Sequence, residues 1–326
     1  MSVKDKTLNV LENNKGNYIS GAELAKELSV SRNAIWKAIK SLKDEGYNIC
    51  AITNKGYCLS IDTDILSSQS ISKYLNKNNN NFNINVYKTI NSTNTAIKEL
   101  AINGGKEGTV IIAEEQTEGR GRFGRKFHSP KGTGIYMSIL LRPQLHSSKA
   151  FLITTATAVA VAEAIESISN KEAKIKWVND IYCDNKKVCG ILTEASFDFE
   201  SGIIDHAVLG IGINVKPPEG GFTEEIKDIA TSIFNDENSA SADIRSRLIA
   251  EVLNRFWSYY KNIEDKSFIE KYKSRSLLMN KEINILSRNS SERAVAIEID
   301  DECRLKVRMH DGSIRFLSSG EVSIRL

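Results

Sequence analysis

The chain has 326 residues, which predicts two or three domains because single domains usually contain about 100 to 200 residues. Hydrophobic residues make up 41% and charged residues 26% of the sequence, which is typical of a folded globular protein and excludes a fibrous or wholly disordered chain. The 44 Lys and Arg nearly balance the 41 Asp and Glu, so a nucleic-acid site would have to be a local patch.

The cysteines and the apolar segments indicate the kind of compartment. The five cysteines form no C-x-x-C pair and the four histidines are scattered, so we expect reduced thiols and no metal-ligating residues. The first ten residues lack the apolar core of a signal peptide. The most apolar window, residues 151–165, contains threonines and Glu163 and is shorter than the about 18 residues of a membrane span. The sequence predicts a cytoplasmic protein without a membrane partner.

Residues 1–62 predict a winged helix-turn-helix domain. Ser20 and Glu23 have the spacing of a capping box at the start of one helix, and a second helix begins at Ser31 after a short turn. The second helix has one apolar face and one basic face. An Asn-Lys-Gly turn at 54–56 then predicts a short β-hairpin, the wing.

The basic face of that second helix is suited to a polyanion. Residues 1–60 carry nine Lys or Arg against six Asp or Glu, and a recognition helix enters the major groove while cations contact phosphates. The residues predicted to bind DNA are Ser31, Arg32, Asn33, Trp36, Lys37, Lys40 and Lys55. The alternative is an ordinary solvated face on a domain that docks onto another protein.

The remaining sequence divides into three parts. Residues 63–82 predict a linker, with an asparagine run at 78–81 and a short helical pattern near 71–75. Residues 83–273 predict an α+β domain with a mixed sheet, and residues 274–326 predict a small SH3-like β-barrel. Strand patterns lie at 109–113, 135–141, 188–193, 207–215, 282–286, 294–299, 305–309 and 313–317, and helical patterns at 93–102, 150–168 and 242–260. The predicted fold class is multidomain α+β.

Residues 119–126, Gly-Arg-Gly-Arg-Phe-Gly-Arg-Lys, follow a predicted strand and are termed the glycine-arginine loop. Their spacing matches the G-x-G-x-x-G pattern of dinucleotide-binding folds. No helical pattern follows, and no Asp or Glu occurs from 119 to 162, so that interpretation is excluded. Glycine lets backbone N–H groups approach phosphate and arginine neutralises it, which predicts an anion site. A basic surface loop without chemistry is the alternative.

The glycine-arginine loop is the first of several motifs in a fixed order. It is followed by Ser129-Pro130 and by the runs KWVNDI at 176–181, KVCGIL at 187–192, GIGIN at 210–214 and GEVSIR at 320–325. With these motifs the chain resembles the biotin protein ligases. With the winged helix in front, it resembles the bifunctional class that is also the biotin operon repressor.

This resemblance implies a reaction in two steps. Biotin and ATP give biotinoyl-5′-AMP and pyrophosphate, and the biotinoyl group then passes to one lysine of a biotin carboxyl carrier protein. Cations and Mg²⁺ would offset the charge of the two reacting anions. The resemblance also implies biotin-responsive repression of biotin operon genes at operator DNA, by a homodimer that the adenylate promotes.

The resemblance assigns site residues as well. Biotin contacts are expected from Ser92, Thr93, Asn94, Gln116, Gly119, Arg120, Gly121, Arg122, Lys176 and Gly190. ATP or adenylate contacts are expected from Arg122, Arg125, Phe127, Lys176, Asn179 and Asn214. Lys176, Arg122 and Arg120 are the expected catalytic residues. Ser92 as a simple helix N-cap and Lys176 as a solvated strand end are the structural alternatives, and Trp177 is expected in the core.

Two positions depart from the family pattern. Val178 stands where proline is usual, and Phe127 stands where tryptophan is frequent. Neither change removes a charge that the chemistry needs, so they affect the expected affinity more than the activity. Three other functions stay open: a biotin-sensing repressor without ligase activity, a ligase that no longer binds DNA, and a lipoate ligase.

Overall fold

The computed structural model describes residues 1–76, 82–236, 241–286, 291–318 and 320–323. The chain forms two compact units, one of residues 1–80 with 238–251 and one of residues 81–237 with 252–326. The predicted asparagine run at 78–81 and the last two residues of the GEVSIR motif lie outside the described residues.

The amino-terminal unit begins with three helices, α1 (Val3–Asn13), α2 (Gly21–Glu27) and α3 (Arg32–Asp44). The capping box predicted at Ser20 is present, and the Ser31 hydroxyl accepts a hydrogen bond from the Ala34 amide. Leu24 and Ile35 are fully buried between the helices. The predicted helix-turn-helix is therefore confirmed, with its apolar face in the core.

The predicted wing is a two-stranded antiparallel hairpin, β1 (Ile49–Ile52) and β2 (Gly56–Leu59). Asn54 and Gly56 both have positive φ. A Cβ atom at Gly56 would lie 2.1 Å from the Ile19 carbonyl oxygen, so only glycine fits at this turn.

Two further segments belong to the amino-terminal unit. Helix α4 (Ser68–Ser72) begins three residues before the helical pattern predicted near 71–75, because the Ser67 hydroxyl caps it by accepting from the Ser70 amide. Residues 241–251 include the start of α7 (Ile244–Tyr260). Here the buried Arg245 pairs with Asp64, with 3.2 Å between Nε and Oδ1.

A seven-stranded mixed sheet forms the centre of the second unit. Its strands are β3 (Asn83–Ile90), β4 (Thr109–Gln116), β5 (Gly134–Leu141), β6 (Lys174–Lys176), β7 (Asp180–Cys183), β8 (Lys186–Phe197) and β9 (Ile204–Asn214). The order is β3-β4-β5-β9-β8-β7-β6, and β3 and β4 are parallel while all other neighbours are antiparallel. The predicted mixed sheet is confirmed.

Helices α5 (Thr93–Ile102) and α6 (Phe151–Ser169) pack against this sheet from opposite faces. Asn94 of α5 bonds to Glu194, while Thr154 of α6 bonds to Thr193. Glu194 and Thr193 are adjacent on β8, so their side chains point to opposite faces. With the short 3₁₀ turn before it, α6 is, within the described ranges, the one helix long and apolar enough to cross a bilayer, but 67% of its most apolar window is buried in the fold.

The carboxy-terminal part of the second unit contains α8 (Ile269–Ser274) and a five-stranded antiparallel sheet. Its strands are β10 (Glu282–Leu286), β11 (Ser291–Ile299), β12 (Leu305–Met309), β13 (Ile314–Leu317) and β14 (Glu321–Ser323), in the order β13-β12-β11-β10-β14. Within the described residues β13 and β14 are the two sheet edges and do not pair. The sheet agrees with the small all-β domain that the sequence predicted. In the described residues its strands do not close into a barrel.

Candidate functional site

A cavity of about 520 Å³ lies on the α5 face of the seven-stranded sheet. The start of α5, the glycine-arginine loop, strands β7 to β9 and strand β14 contribute to its walls. The predicted biotin and nucleotide residues that line it are Ser92, Thr93, Asn94, Gln116, Arg120, Gly121, Arg122, Arg125, Phe127, Lys176, Asn179, Gly190 and Asn214. Gly119 is the predicted residue that does not line it.

Glycines make the floor of this cavity, because the GIGIN run lies on β9 and alternates between the two faces of the sheet. Gly210 and Gly212 face the cavity, while Ile211 and Ile213 are buried in the core. Gly190 on β8 is the direct cross-strand partner of Gly212. The Phe127 ring rests on this pair, so a Cβ atom at Gly212 would lie 2.5 Å from the Phe127 ring.

The glycine-arginine loop is a short hairpin. The Phe127 amide donates to the Gly119 carbonyl at 2.9 Å, and the Gly121 amide donates to the Arg125 carbonyl at 2.7 Å. Gly119 lies outside the cavity, at the base of the hairpin. Only glycine fits there, since a Cβ atom would lie 2.4 Å from the Phe127 carbonyl oxygen. Phe123 at the tip is exposed and has positive φ. The loop thus carries its cations on a backbone that is tied at its base.

The three loop arginines have different environments. The Arg122 guanidinium donates to Asn179 Oδ1 at 2.9 Å, and burial lowers its pKa although Asp180 and Glu321 favour the charged form. Arg120 and Arg125 are exposed. Arg122 is therefore the loop cation held inside the cavity, where its charge is least screened by water.

Two ammonium groups, those of Lys176 and Lys187, also line the cavity. Burial lowers the pKa of Lys176, against the opposing effect of Asp180. Lys187 Nζ lies 2.7 Å from Asp180 Oδ1, and a Cβ atom at Gly190 would lie 3.3 Å from the same nitrogen, so this ammonium sits directly over the floor. The sequence analysis assigned no role to Lys187 or Asp180. Asp180 and Lys187 carry opposite charges in the two motifs that form the β7–β8 hairpin, and this pattern could have predicted their pairing.

A hydrogen-bonded chain of polar side chains forms the wall at the start of α5. Gln116 Oε1 accepts from the Thr93 amide at 2.9 Å and from the Thr93 hydroxyl at 3.1 Å, and Gln116 Nε2 donates to the Ser129 hydroxyl at 2.9 Å. Ser92 stands at the N-cap position of α5, but its side chain makes no capping hydrogen bond. Ser92 is therefore the N-cap residue by position, as that alternative predicted, but its hydroxyl does not cap the helix.

Trp177 lies in the core, as predicted. Its indole Nε1 donates to the Cys303 carbonyl oxygen at 2.9 Å, and 4% of its surface is exposed. The Val178 carbonyl accepts from the Tyr272 hydroxyl at 3.0 Å, and the Trp177–Val178 peptide bond is cis. These contacts anchor the segment that presents Lys176 and Asn179.

Comparison with known proteins shows the family to which the chain belongs. Residues 86–214 match the Biotin/lipoate A/B protein ligase family, and residues 4–58 match a helix-turn-helix domain. The chain is 34% identical over 311 residues to the bifunctional ligase/repressor BirA of Bacillus subtilis, covering 94% of each protein. The chain belongs to this family of bifunctional ligase/repressors. The Escherichia coli BirA is 26% identical over 319 residues.

A solved structure related to this ligase/repressor is the biotin protein ligase from Aquifex aeolicus in complex with biotin and ATP. It has a TM-score of 0.61 and 30% identity, and the match covers 74% of this chain and 98% of that one. The predicted fold class, family and enzyme class are therefore confirmed. The family model also spans lipoate ligases, but the full-length relatives named above are ligase/repressors.

The predicted DNA-binding residues of this ligase/repressor lie on α3 and at the tip of the wing. Arg32, Asn33, Lys37 and Lys40 are exposed, and Trp36 is 51% exposed with the Lys40 ammonium 5.6 Å from its ring centroid. Ser31 caps α3 and Lys55 lies at the tip of the wing. The arrangement leaves these cations free of the core and open to a polyanion.

The ligase site does not supply a ready-made metal site. Among the residues that the structure describes, no three or more His, Cys, Asp or Glu side chains group so as to hold a metal ion. The two cavity carboxylates that stand near the cations, Asp180 and Glu321, each form an ion pair, with Lys187 and Arg125.

Proposed function

We propose that this protein attaches biotin to a lysine of a biotin carboxyl carrier protein and represses biotin operon genes in response to biotin. The main support for the ligase activity is one cavity of about 520 Å³. It brings together the polar wall at the start of α5 and three half-buried cations, Arg122, Lys176 and Lys187. A neutral polar wall suits a ureido ring, and clustered cations suit a carboxylate that meets a phosphate.

In the first step, a biotin carboxylate oxygen bonds to the α-phosphorus of ATP while the bond from that phosphorus to pyrophosphate breaks. Both partners are anions, so the barrier falls when fixed cations offset their charge in the transition state. Arg122, held by Asn179, and Lys176 perform this task. Arg120 is the third catalytic cation, and it would act from the cavity rim.

In the second step, the neutral amine of the acceptor lysine attacks the acyl carbon of biotinoyl-5′-AMP, and AMP leaves. Water attacks the same carbon, so the site has to exclude solvent while the adenylate waits. The glycine-arginine loop, tied at its base by Gly119 and Phe127, performs the covering role.

The assigned contacts follow the two halves of the adenylate. Biotin is held by Ser92, Thr93, Asn94, Gln116, Gly121 and Gly190, together with Arg120, Arg122 and Lys176. The adenylate moiety contacts Arg122, Arg125, Phe127, Lys176, Asn179 and Asn214. Gly119 acts indirectly, through the loop backbone. The Phe127 ring, which lies on the glycine floor, is the stacking surface for adenine.

Mg²⁺ enters this proposal bound to ATP. Hard divalent cations in nucleotide sites keep several waters and are held mainly by phosphate oxygens. The described residues offer no carboxylate cluster for a separate protein-bound ion. The chain supplies the fixed cations, and Mg²⁺ supplies further charge neutralisation on the phosphates.

The regulatory half of the proposal rests on the exposed cations of α3. The operator contacts are Ser31, Arg32, Asn33, Trp36, Lys37, Lys40 and Lys55, within a domain of residues 1–62 that a linker of 63–82 joins to ligase and barrel domains of 83–273 and 274–326. Adenylate binding promotes a homodimer, which lets two recognition helices meet a two-fold operator. The protein acts in the cytoplasm.

The direct test is biotin-dependent exchange of pyrophosphate into ATP, followed by labelling of a carrier-protein lysine. We expect the wild type to perform both, and Arg122→Ala to lose about 10² to 10³ in kcat/KM for exchange. Lys131→Ala removes an exposed cation that follows the glycine-arginine loop and does not line the cavity, and it should retain wild-type exchange.

The same assays separate the alternative functions. A folded protein without exchange or labelling would refute the ligase. A biotin-stimulated shift of operator DNA without labelling would identify a repressor only. Labelling without salt-sensitive DNA binding would identify a ligase only, since phosphate contacts make affinity fall as salt rises. Competition between biotin and lipoate in the exchange assay tests the lipoate ligase.

A further inference from the structure

Asn94 is held in one orientation by two partners. Its Nδ2 atom donates to Glu194 Oε2 at 2.8 Å, and the Ser138 hydroxyl oxygen lies 2.6 Å from its Oδ1 atom. Gly210 leaves the space for it, because a Cβ atom there would lie 2.2 Å from Asn94 Oδ1. Ser138 and Gly210 are cross-strand partners, so the Asn94 amide lies on the sheet floor at a fixed place.

Glu194 accepts from two donors on the same helix. Its Oε1 atom pairs with Lys98 Nζ at 2.6 Å, while Oε2 accepts from Asn94. Asn94 and Lys98 are four residues apart, hence one turn apart on one face of α5. Burial opposes ionisation of Glu194, but the bonds from Lys98 and Asn94 outweigh it, so its pKa is lowered and it stays a carboxylate.

A carboxylate only accepts hydrogen bonds, so it decides which way the Asn94 amide faces. The amino group has to face Glu194, and the carbonyl has to face Ser138. Among the residues that the structure describes, the second hydrogen of that amino group has no protein acceptor. It remains for an acceptor atom of a ligand in the cavity, such as a ureido carbonyl oxygen.

We infer that Glu194, which does not line the cavity, is a positioning residue that presents the Asn94 N–H donor to biotin. The inference rests on the proposed function. Glutamine cannot replace Glu194 in this role, because it offers one acceptor oxygen where Asn94 and Lys98 require two. The charged Lys98 takes that oxygen, and the Asn94 amino group then faces another amino group.

The test uses the full chain and biotin-dependent pyrophosphate exchange. Glu194→Gln should raise the KM for biotin about tenfold or more, with kcat and the KM for ATP within about twofold of wild type. Glu163→Gln is the matched control: Glu163 is another partly buried carboxylate with a lowered pKa and several donors, placed away from the cavity. It should leave the KM for biotin unchanged. An unchanged KM in a folded Glu194→Gln variant overturns the inference.

A second variant separates positioning from stability. Asn94→Asp combined with Glu194→Gln swaps donor and acceptor and keeps every protein hydrogen bond, but it removes the N–H for the ligand. We expect Tm to return close to the wild-type value while the KM for biotin stays raised. Recovery of both overturns the inference, and this variant also serves if Glu194→Gln alone does not fold. A wild type without exchange would instead refute the proposed function, which the variants do not affect.

Discussion

Arg125 of the glycine-arginine loop and Glu321 of β14 form an ion pair, with 2.7 Å between Nη2 and Oε1. It joins the glycine-arginine loop to the carboxy-terminal sheet, although the two residues are 196 positions apart in sequence. The Arg125 side chain is 66% exposed, so solvent screens this pair strongly. Its consequence is therefore expected in loop mobility more than in global stability.

Loop mobility can be measured by trypsin, which cuts after Arg and Lys. Glu321→Gln should increase the rate of cleavage within 119–127 several-fold, because the loop loses its tie to β14. The change in Tm should correspond to less than about 1 kcal/mol. Asp301→Asn, which breaks an exposed ion pair with Lys273 elsewhere in the unit, should leave loop cleavage unchanged. Equal cleavage rates in all three proteins would contradict the tie.

Lys176→Met should stabilise the protein at neutral pH while it abolishes exchange. Burial lowers the pKa of Lys176 in the fold below the ordinary value of 10.5, so the unfolded chain binds this proton more tightly. Between the lowered pKa and 10.5, wild-type stability rises with pH as the folded state sheds the proton. The Tm advantage of Lys176→Met should therefore be largest near pH 7 and shrink toward pH 10. A lower Tm than wild type at pH 7 would refute this.

Gly212→Ala should displace the Phe127 ring, because the new methyl group would lie 2.5 Å from it. We expect a loss of about 1 to 3 kcal/mol in the free energy of unfolding, as for an overpacked core. Combined with Phe127→Ala, the change should cost about 1 kcal/mol less than the sum of the two single substitutions, because the ring that the methyl group displaces is gone. The free energies of unfolding of the wild type, the two single variants and the double variant are measured by denaturant titration. Gly121→Ala is the control, since its Cβ would have only ordinary contacts at 3.5 Å. Additive effects would show that the ring does not rest on Gly212.

Lys37→Ala should weaken operator binding and reduce the slope of log affinity against log salt by about one. Exchange activity should be unchanged, because Lys37 is an exposed residue of α3 and not of the ligase cavity. Lys6→Ala, which removes an exposed lysine from α1 that is not among the predicted operator contacts, is the matched control. If both variants bound operator DNA equally well, the basic face would not be the recognition surface.

The local elements followed from local signals. The capping box at Ser20, the turn at 54–56 and most strands between 109 and 317 depend on side-chain period and turn chemistry within a few residues. The predicted position of helix α4, near 71–75, was too late in the sequence. The apolar pattern continues past the end of the helix, whereas the Ser67 cap fixes its start at Ser68. The order of the motifs was sufficient to identify the family. Residues from the glycine-arginine loop and from each of the runs after Pro130 line one cavity, so they form a single site.

The sequence by itself determined the family, the helix-turn-helix, and the loop rich in glycine and arginine. Tertiary structure alone decided that Arg122 is the loop arginine held in the cavity, that Lys187 joins Lys176 there, and that Glu194 orients Asn94. The physical reason is distance along the chain: Glu194 and Asn94 are 100 positions apart, and only the packing of α5 on β8 brings a carboxylate and an amide within hydrogen-bonding range.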